Sequence, residues 1–159
     1  MSLFRVNPDE PFSGPHQDGD VIQHGPSASE ASAAVILIHG RGASAQSMLP
    51  LADEFAVPGV HYAAPQASNY TWYPYSFLQP IENNQPGISS GLQRIHDLIQ
   101  QLQDDGIPKE KIMLLGFSQG GCLATEFAAR HPARYGGVVG YSGGLIGPEI
   151  DPGNYEGEM

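Results

Sequence analysis

The stretch Lys111 to Arg130, KIMLLGFSQGGCLATEFAAR, constrains the fold of this chain more than any other part of it. An apolar run suited to a buried strand passes into an alanine-rich helical pattern through Gly116-Phe117-Ser118-Gln119-Gly120. A strand-to-helix turn this sharp tolerates little side-chain bulk, and glycine two residues either side of the serine removes the β-carbons that would block it. Such a turn lifts the serine to the top of a sheet, in front of a helix N-terminus. Fold class and candidate chemistry therefore come from the same stretch.

The rest of the chain reads consistently with that start. Residues 1–33 are rich in Gly, Pro, Asp and Ser, and Asp18-Gly19 resembles a hairpin turn between short strands. Ala33-Ala34-Val35-Ile36-Leu37-Ile38 is a continuous apolar run, as in a strand covered on both faces of a parallel sheet. Ser44 is placed to cap a helix reaching Phe55, with Met48, Leu51, Ala52 and Phe55 on one face. Val60 to Ala64 is the next strand, ending at Pro65. A long aromatic loop over 65–87 follows, and loops of that length in a compact domain usually serve function.

Ile88, Leu92, Ile95, Ile99 and Leu102 then mark an amphipathic helix, with Ser90 and Gln93 as a capping box and Gly106 and Pro108 as its stop. Val138 to Tyr141 is the last strand in the pattern. Strands alternating with helices predict one α/β domain over 1–159, a mainly parallel sheet with helices on both faces.

Ser118 is the candidate nucleophile, although a serine hydroxyl needs a base to take its proton. A phosphate-binding turn is the other reading of such a loop, but the Lys-Ser/Thr ending of a P-loop is absent. A second glycine-rich motif, Ile38-His39-Gly40-Arg41-Gly42, ends the first apolar strand. In serine hydrolases a loop here offers one backbone N–H to the oxyanion, and the residue after the nucleophile offers another. Those donors are the N–H groups of Arg41 and Gln119, with His39 fixing the loop rather than acting as base. Trp72, Tyr73 and Phe77 are expected to line the substrate pocket or its lid, although aromatics beside Pro74 and Pro80 also stiffen loops. Cys122 reads as a small core residue, and Asp104-Asp105 as a solvated helix end.

Five segments in order resemble the phospholipase/carboxylesterase family of α/β-hydrolases, which includes the acyl-protein thioesterases. They are Leu37 to Gly42, Ala63-Ala64-Pro65, Trp72-Tyr73-Pro74, Gly116 to Gly121 and Tyr141-Ser142-Gly143-Gly144. The resemblance implies a serine esterase that cleaves carboxylic esters or thioesters on Ser118, with no metal or organic cofactor. A dienelactone-hydrolase-like enzyme would carry cysteine at that position.

Hydrolases of this fold order the triad as serine, acid, histidine. Only 16 residues follow Gly143, whereas two more strands, a helix and their loops take about 40–50. His131 lies 13 residues beyond Ser118 along the same helix, roughly 20 Å away and out of reach. His16, His24, His61 and His96 stand in early or surface contexts, and Glu149 and Asp151 occupy the region where a variant acid could fall. The catalytic Asp and His, with the last two strands of the sheet, are thus expected beyond residue 159. An open apolar sheet edge would follow, favouring self-association into a homo-oligomer. The rival expectation is a non-catalytic binding or scaffold protein that keeps the elbow without the triad.

Composition narrows the partners. Seventeen acidic against seven basic residues give a net charge of −10, which disfavours nucleic acid and anionic membranes. No apolar run approaches the ~18 residues of a membrane span, and Met1 to Arg5 leads into Pro and Asp rather than a signal-peptide core. With one cysteine, Cys122, the expected location is the cytoplasm.

Overall fold

The computed structural model describes residues 14–147. Glu149 and Asp151 lie outside them. Five strands form one sheet: β1 (Val21–His24), β2 (Ala33–Ile38), β3 (Val60–Pro65), β4 (Ile112–Phe117) and β5 (Gly137–Tyr141). Their order across the sheet is β1-β3-β2-β4-β5, with β1 antiparallel to β3 and every other pair parallel. Three α-helices, α1 (Leu49–Phe55), α2 (Gly87–Asp104) and α3 (Gln119–Arg130), connect them.

The alternation of β2 explains the layers. Ala34, Ile36 and Ile38 face a core shared with α2 and α3, through Ile88, Leu92, Ile95, Leu123 and Phe127. Val35 and Leu37 face the opposite core, with Ala45, Met48 and Ala52 at the start of and within α1. Both faces of the sheet are therefore covered by helix, which is why this strand has no polar position. Among the described residues no helix is long and apolar enough to cross a membrane.

The chain order places the functional motifs. From β2 the chain builds outward to β3 on one side, then returns to lay β4 on the other. Where a parallel sheet reverses direction in this way, the loops leaving two neighbouring strands diverge and open a crevice at their carboxyl ends. Ile38 pairs with Gly116, so the His39–Gly42 loop and Ser118 leave the sheet at the same level, side by side.

Three local expectations need correction. Asp18-Gly19 is a turn ahead of β1, closed by Gly19 N–H to His16 O (3.2 Å), and joins no pair of strands among the described residues. β1 finds its partner in β3 instead. Ser90 is an interior residue of α2 rather than its cap, because the helix already starts at Gly87. The carboxamide of Gln85 accepts from Ser89 N–H (3.0 Å) in its place, leaving the Ser90 hydroxyl to accept from His16 N–H (3.0 Å). Finally, Ser44 stands one residue before the N-cap, Ala45, of a single 3-10 turn, Gln46–Met48, where its hydroxyl accepts from Ser47 N–H (3.2 Å), and α1 proper begins only at Leu49. Phe55 at its far end is exposed.

Candidate active site

Ser118 sits between β4 and α3 with φ 55° and ψ −115°, a conformation that costs a non-glycine residue of order 1–3 kcal/mol. The flanking glycines show what holds it there. A β-carbon on Gly116 would lie 2.1 Å from Gly120 O, and one on Gly120 would lie 2.0 Å from Ile38 O. Neither glycine has positive φ; each is required because backbone meets backbone. The Ser118 N–H donates to Tyr141 O (2.7 Å), tying the turn to β5, and its carbonyl accepts the first bond of α3 from Cys122 N–H (2.9 Å). Its side chain makes no capping bond to α3, so the half-buried hydroxyl stays available in front of the helix.

The second glycine motif packs directly against this turn. A β-carbon on Gly40 would stand 3.4 Å from Ser118 Cβ and 3.1 Å from Phe117 O. Gly42 N–H donates to Tyr70 O (2.7 Å) and Ala43 N–H to Gly40 O (3.2 Å), whereas the Arg41 N–H has no acceptor among the described residues. Gln119 is the first residue of α3, where a helix provides its N–H with no partner. Gln119 follows Ser118 directly at the head of α3, and Arg41 follows Gly40, the glycine packed against Ser118.

The aromatic segment is anchored from several directions. Trp72 and Tyr73 are 1% and 2% exposed and belong to the core, while Phe77, at 36%, lies at the surface. The indole N–H of Trp72 donates to His39 O (2.9 Å). Gln119 was singled out for its backbone, yet its buried side chain also works: Oε1 accepts from Trp72 N–H (2.7 Å) and Nε2 donates to Tyr73 O (2.8 Å). Burial pushes the Tyr73 phenol well above its usual range, helped by the nearby Cys122 thiol.

Two histidines are built into the floor. His39 donates from Nδ1 to Gly40 O (2.7 Å), and its Nε2 accepts from Ala67 N–H (3.0 Å). His16 donates from Nε2 to Trp72 O (2.8 Å), and its Nδ1 accepts from Ser68 N–H (3.0 Å). Each ring has one donor and one acceptor nitrogen engaged, which defines a neutral tautomer. Burial lowers the pKa of both below the ordinary 6.5. Neither ring has a nitrogen left for Ser118. His131 is at the opposite end of α3, where it caps the helix C-terminus.

Sequence reasoning placed His16 and His61 in early or surface contexts, yet both are buried, and it missed Asn84 and Glu126. Asn84, fully buried, accepts from Tyr75 N–H (2.7 Å) and donates to Ser76 O (3.0 Å). Glu126, also fully buried, binds Arg130 Nε (2.7 Å) and accepts from Ile146 N–H (2.8 Å) and Gly147 N–H (3.1 Å), fastening the loop after β5 to α3. A polar residue on the inner face of a helix, one turn past Cys122, was the available signal for Glu126.

Comparison with known proteins agrees with this fold. The model of the phospholipase/carboxylesterase family matches residues 21–155. Acyl-protein thioesterase 1 of Cryptococcus neoformans is 30% identical over 128 residues, covering 70% of this chain and 54% of that protein. Acyl-protein thioesterase 1 of Schizosaccharomyces pombe is 30% identical over 128 residues, covering 72% and 57%. The chain thus spans about half the length of the curated relatives it matches. Among solved structures, a phospholipase/carboxylesterase from Dyadobacter fermentans superposes with a TM-score of 0.82 at 38% identity, over 90% of this chain and 68% of that one.

Proposed function

The chain belongs to the phospholipase/carboxylesterase family of α/β-hydrolases, and on that premise we propose that it carries the nucleophile and oxyanion site of a serine esterase. The substrate is a carboxylic ester or thioester. Ser118 Oγ attacks the acyl carbon as a base removes its proton, and the carbonyl oxygen takes up the negative charge. The N–H groups of Arg41 and Gln119 bind that oxygen, and one such donor elsewhere is worth about 10²–10³ in rate. The C–O or C–S bond then breaks, the alcohol or thiol leaves with the proton, and water hydrolyses the acyl-Ser118 ester. Trp72 and Tyr73 form the floor of the acyl side and Phe77 its rim. The base and its orienting acid are, in this reading, supplied from outside the described residues, because the ring nitrogens of His16 and His39 are committed to the backbone.

The observation that carries the proposal is the strained, uncapped Ser118 in contact with the Gly40 loop. The test is fluorophosphonate labelling of the intact protein, located by peptide mass. Labelling at Ser118 that disappears in Ser118→Ala is the expected result. A folded wild-type protein that stays unlabelled would overturn it and favour the second reading, a binding protein built on the hydrolase elbow. That second reading draws on the same histidine bonds.

A further inference from the structure

The two residues assigned to the oxyanion site by their backbone also grip one continuous segment with their side chains. Gln119 holds Trp72 N–H and Tyr73 O. Arg41 takes over at the next residue: its guanidinium donates to Pro74 O through Nη1 and to Tyr75 O through Nη2 (2.6 Å), and lies 5.8 Å from the centre of the Tyr73 ring. Beyond Tyr75 the chain passes to Asn84, which holds Tyr75 N–H and Ser76 O from the other side. Past these ties the segment presents an apolar rim to solvent, with Tyr75 57%, Phe77 36% and Leu78 81% exposed.

The two grips differ in kind. Gln119 is buried, and its bonds satisfy backbone groups of two buried residues, Trp72 and Tyr73. Arg41 is exposed, where a hydrogen-bonded charge adds little to stability. Its planar fork instead meets two successive carbonyls at once, a geometry that a lysine ammonium cannot reproduce. A side chain that adds little stability but links two loops of a site is suited to transmitting position.

We propose that the Arg41 side chain is a positioning residue that couples the Tyr75–Leu78 rim to the oxyanion loop. The inference rests on the Ser118 reading and concerns acyl groups long and apolar enough to reach Tyr75, Phe77 and Leu78. A chain that packs on the rim holds Pro74 and Tyr75 in place, and through the guanidinium holds the Arg41 N–H against the developing oxyanion. A short acyl group leaves the rim unfilled and gains nothing from the link. The benefit of chain length is therefore expressed in kcat more than in KM.

Two measurements test this separately. In the first, hydrolysis of p-nitrophenyl decanoate and acetate is compared in wild type, Arg41→Lys and Arg41→Met. The expected result is a fall of about tenfold in the decanoate-to-acetate kcat ratio in both variants, since small misplacements at a reacting centre cost that much or more. Equal losses on both esters, or a change in KM alone, would overturn the coupling, because a merely structural brace affects both esters alike. In the second, amide hydrogen exchange is followed in Asn84→Asp, which keeps the acceptor for Tyr75 N–H and removes the donor to Ser76 O. Faster exchange in residues 39–43, more than 40 positions away in sequence, is expected; unchanged exchange there overturns the proposal. The exchange experiment reads the coupling whether or not Ser118 reacts, so an inactive protein would refute the esterase reading without obscuring this result.

Discussion

Replacing Gly120 by alanine should damage both the fold and the site, and the size of the effect follows from the geometry. The added β-carbon would stand 2.0 Å from Ile38 O and 2.5 Å from His39 O. A carbon-to-oxygen contact needs about 3.3 Å, so α3 and β2 must separate by roughly 1.3 Å. β2 cannot retreat, being paired to β3 on one side and β4 on the other. Helix α3 must therefore move, taking Ser118 with it. Overpacking of this kind costs about 1–3 kcal/mol, and a clash with two successive backbone carbonyls belongs at the upper end.

For an m-value of about 2 kcal/mol/M, 3 kcal/mol lowers the urea midpoint by about 1.5 M. Gly144→Ala is the control, since a β-carbon there meets nothing within 4 Å and should stay within about 0.5 kcal/mol of wild type. Urea unfolding followed by circular dichroism gives both values. A Gly120→Ala midpoint within about 0.3 M of wild type would refute the close-approach argument. Equal loss in both variants would refute it too, by pointing to general fragility.

Stability should also depend on pH through His16 and His39. Both have folded pKa values below the ordinary 6.5, so the unfolded chain binds more protons in this range. Their contribution is complete above pH 6.5 and is lost as pH falls, by at most about 1.4 kcal/mol per pH unit for each ring. Urea midpoints between about pH 7.5 and 5.5 should fall, with a shallower slope in His16→Asn and His39→Asn; an unchanged slope would contradict the neutral tautomers. Glu126→Ala should cost about 2–4 kcal/mol in the same assay, because it strands the Ile146 and Gly147 amides and removes the Arg130 partner. A loss under about 1 kcal/mol would mean that water replaces the carboxylate.

Much of the sheet was legible because its signals are local. The apolar run of β2, the helix from Gln119 to Arg130 and the serine turn between them depend on neighbours a few residues apart, and each lies where the pattern put it. The capping box at Ser90 failed for an instructive reason. Its hydroxyl is occupied by a residue 74 positions away, and a contact of that range leaves no periodic trace. The same holds for Arg41 with Pro74 and Tyr75, for Gln119 with Trp72, and for β1, whose four residues give no hint that they will pair with β3. Glycine spacing announced where the two loops would be, but not which side chains would fasten the aromatic segment to them.

Trp72 is the sole tryptophan of the chain, and it lies between two imidazoles. The ring centres are 4.9 Å away for His16 and 5.3 Å for His39. Protonated imidazole quenches indole emission, whereas the neutral ring does so weakly. The molecule therefore contains an optical reporter at the base of its own site, bright when both histidines are neutral and dimmed when either takes a proton. One emission band, free of background from any other indole, registers the state of the segment that Gln119 and Arg41 hold.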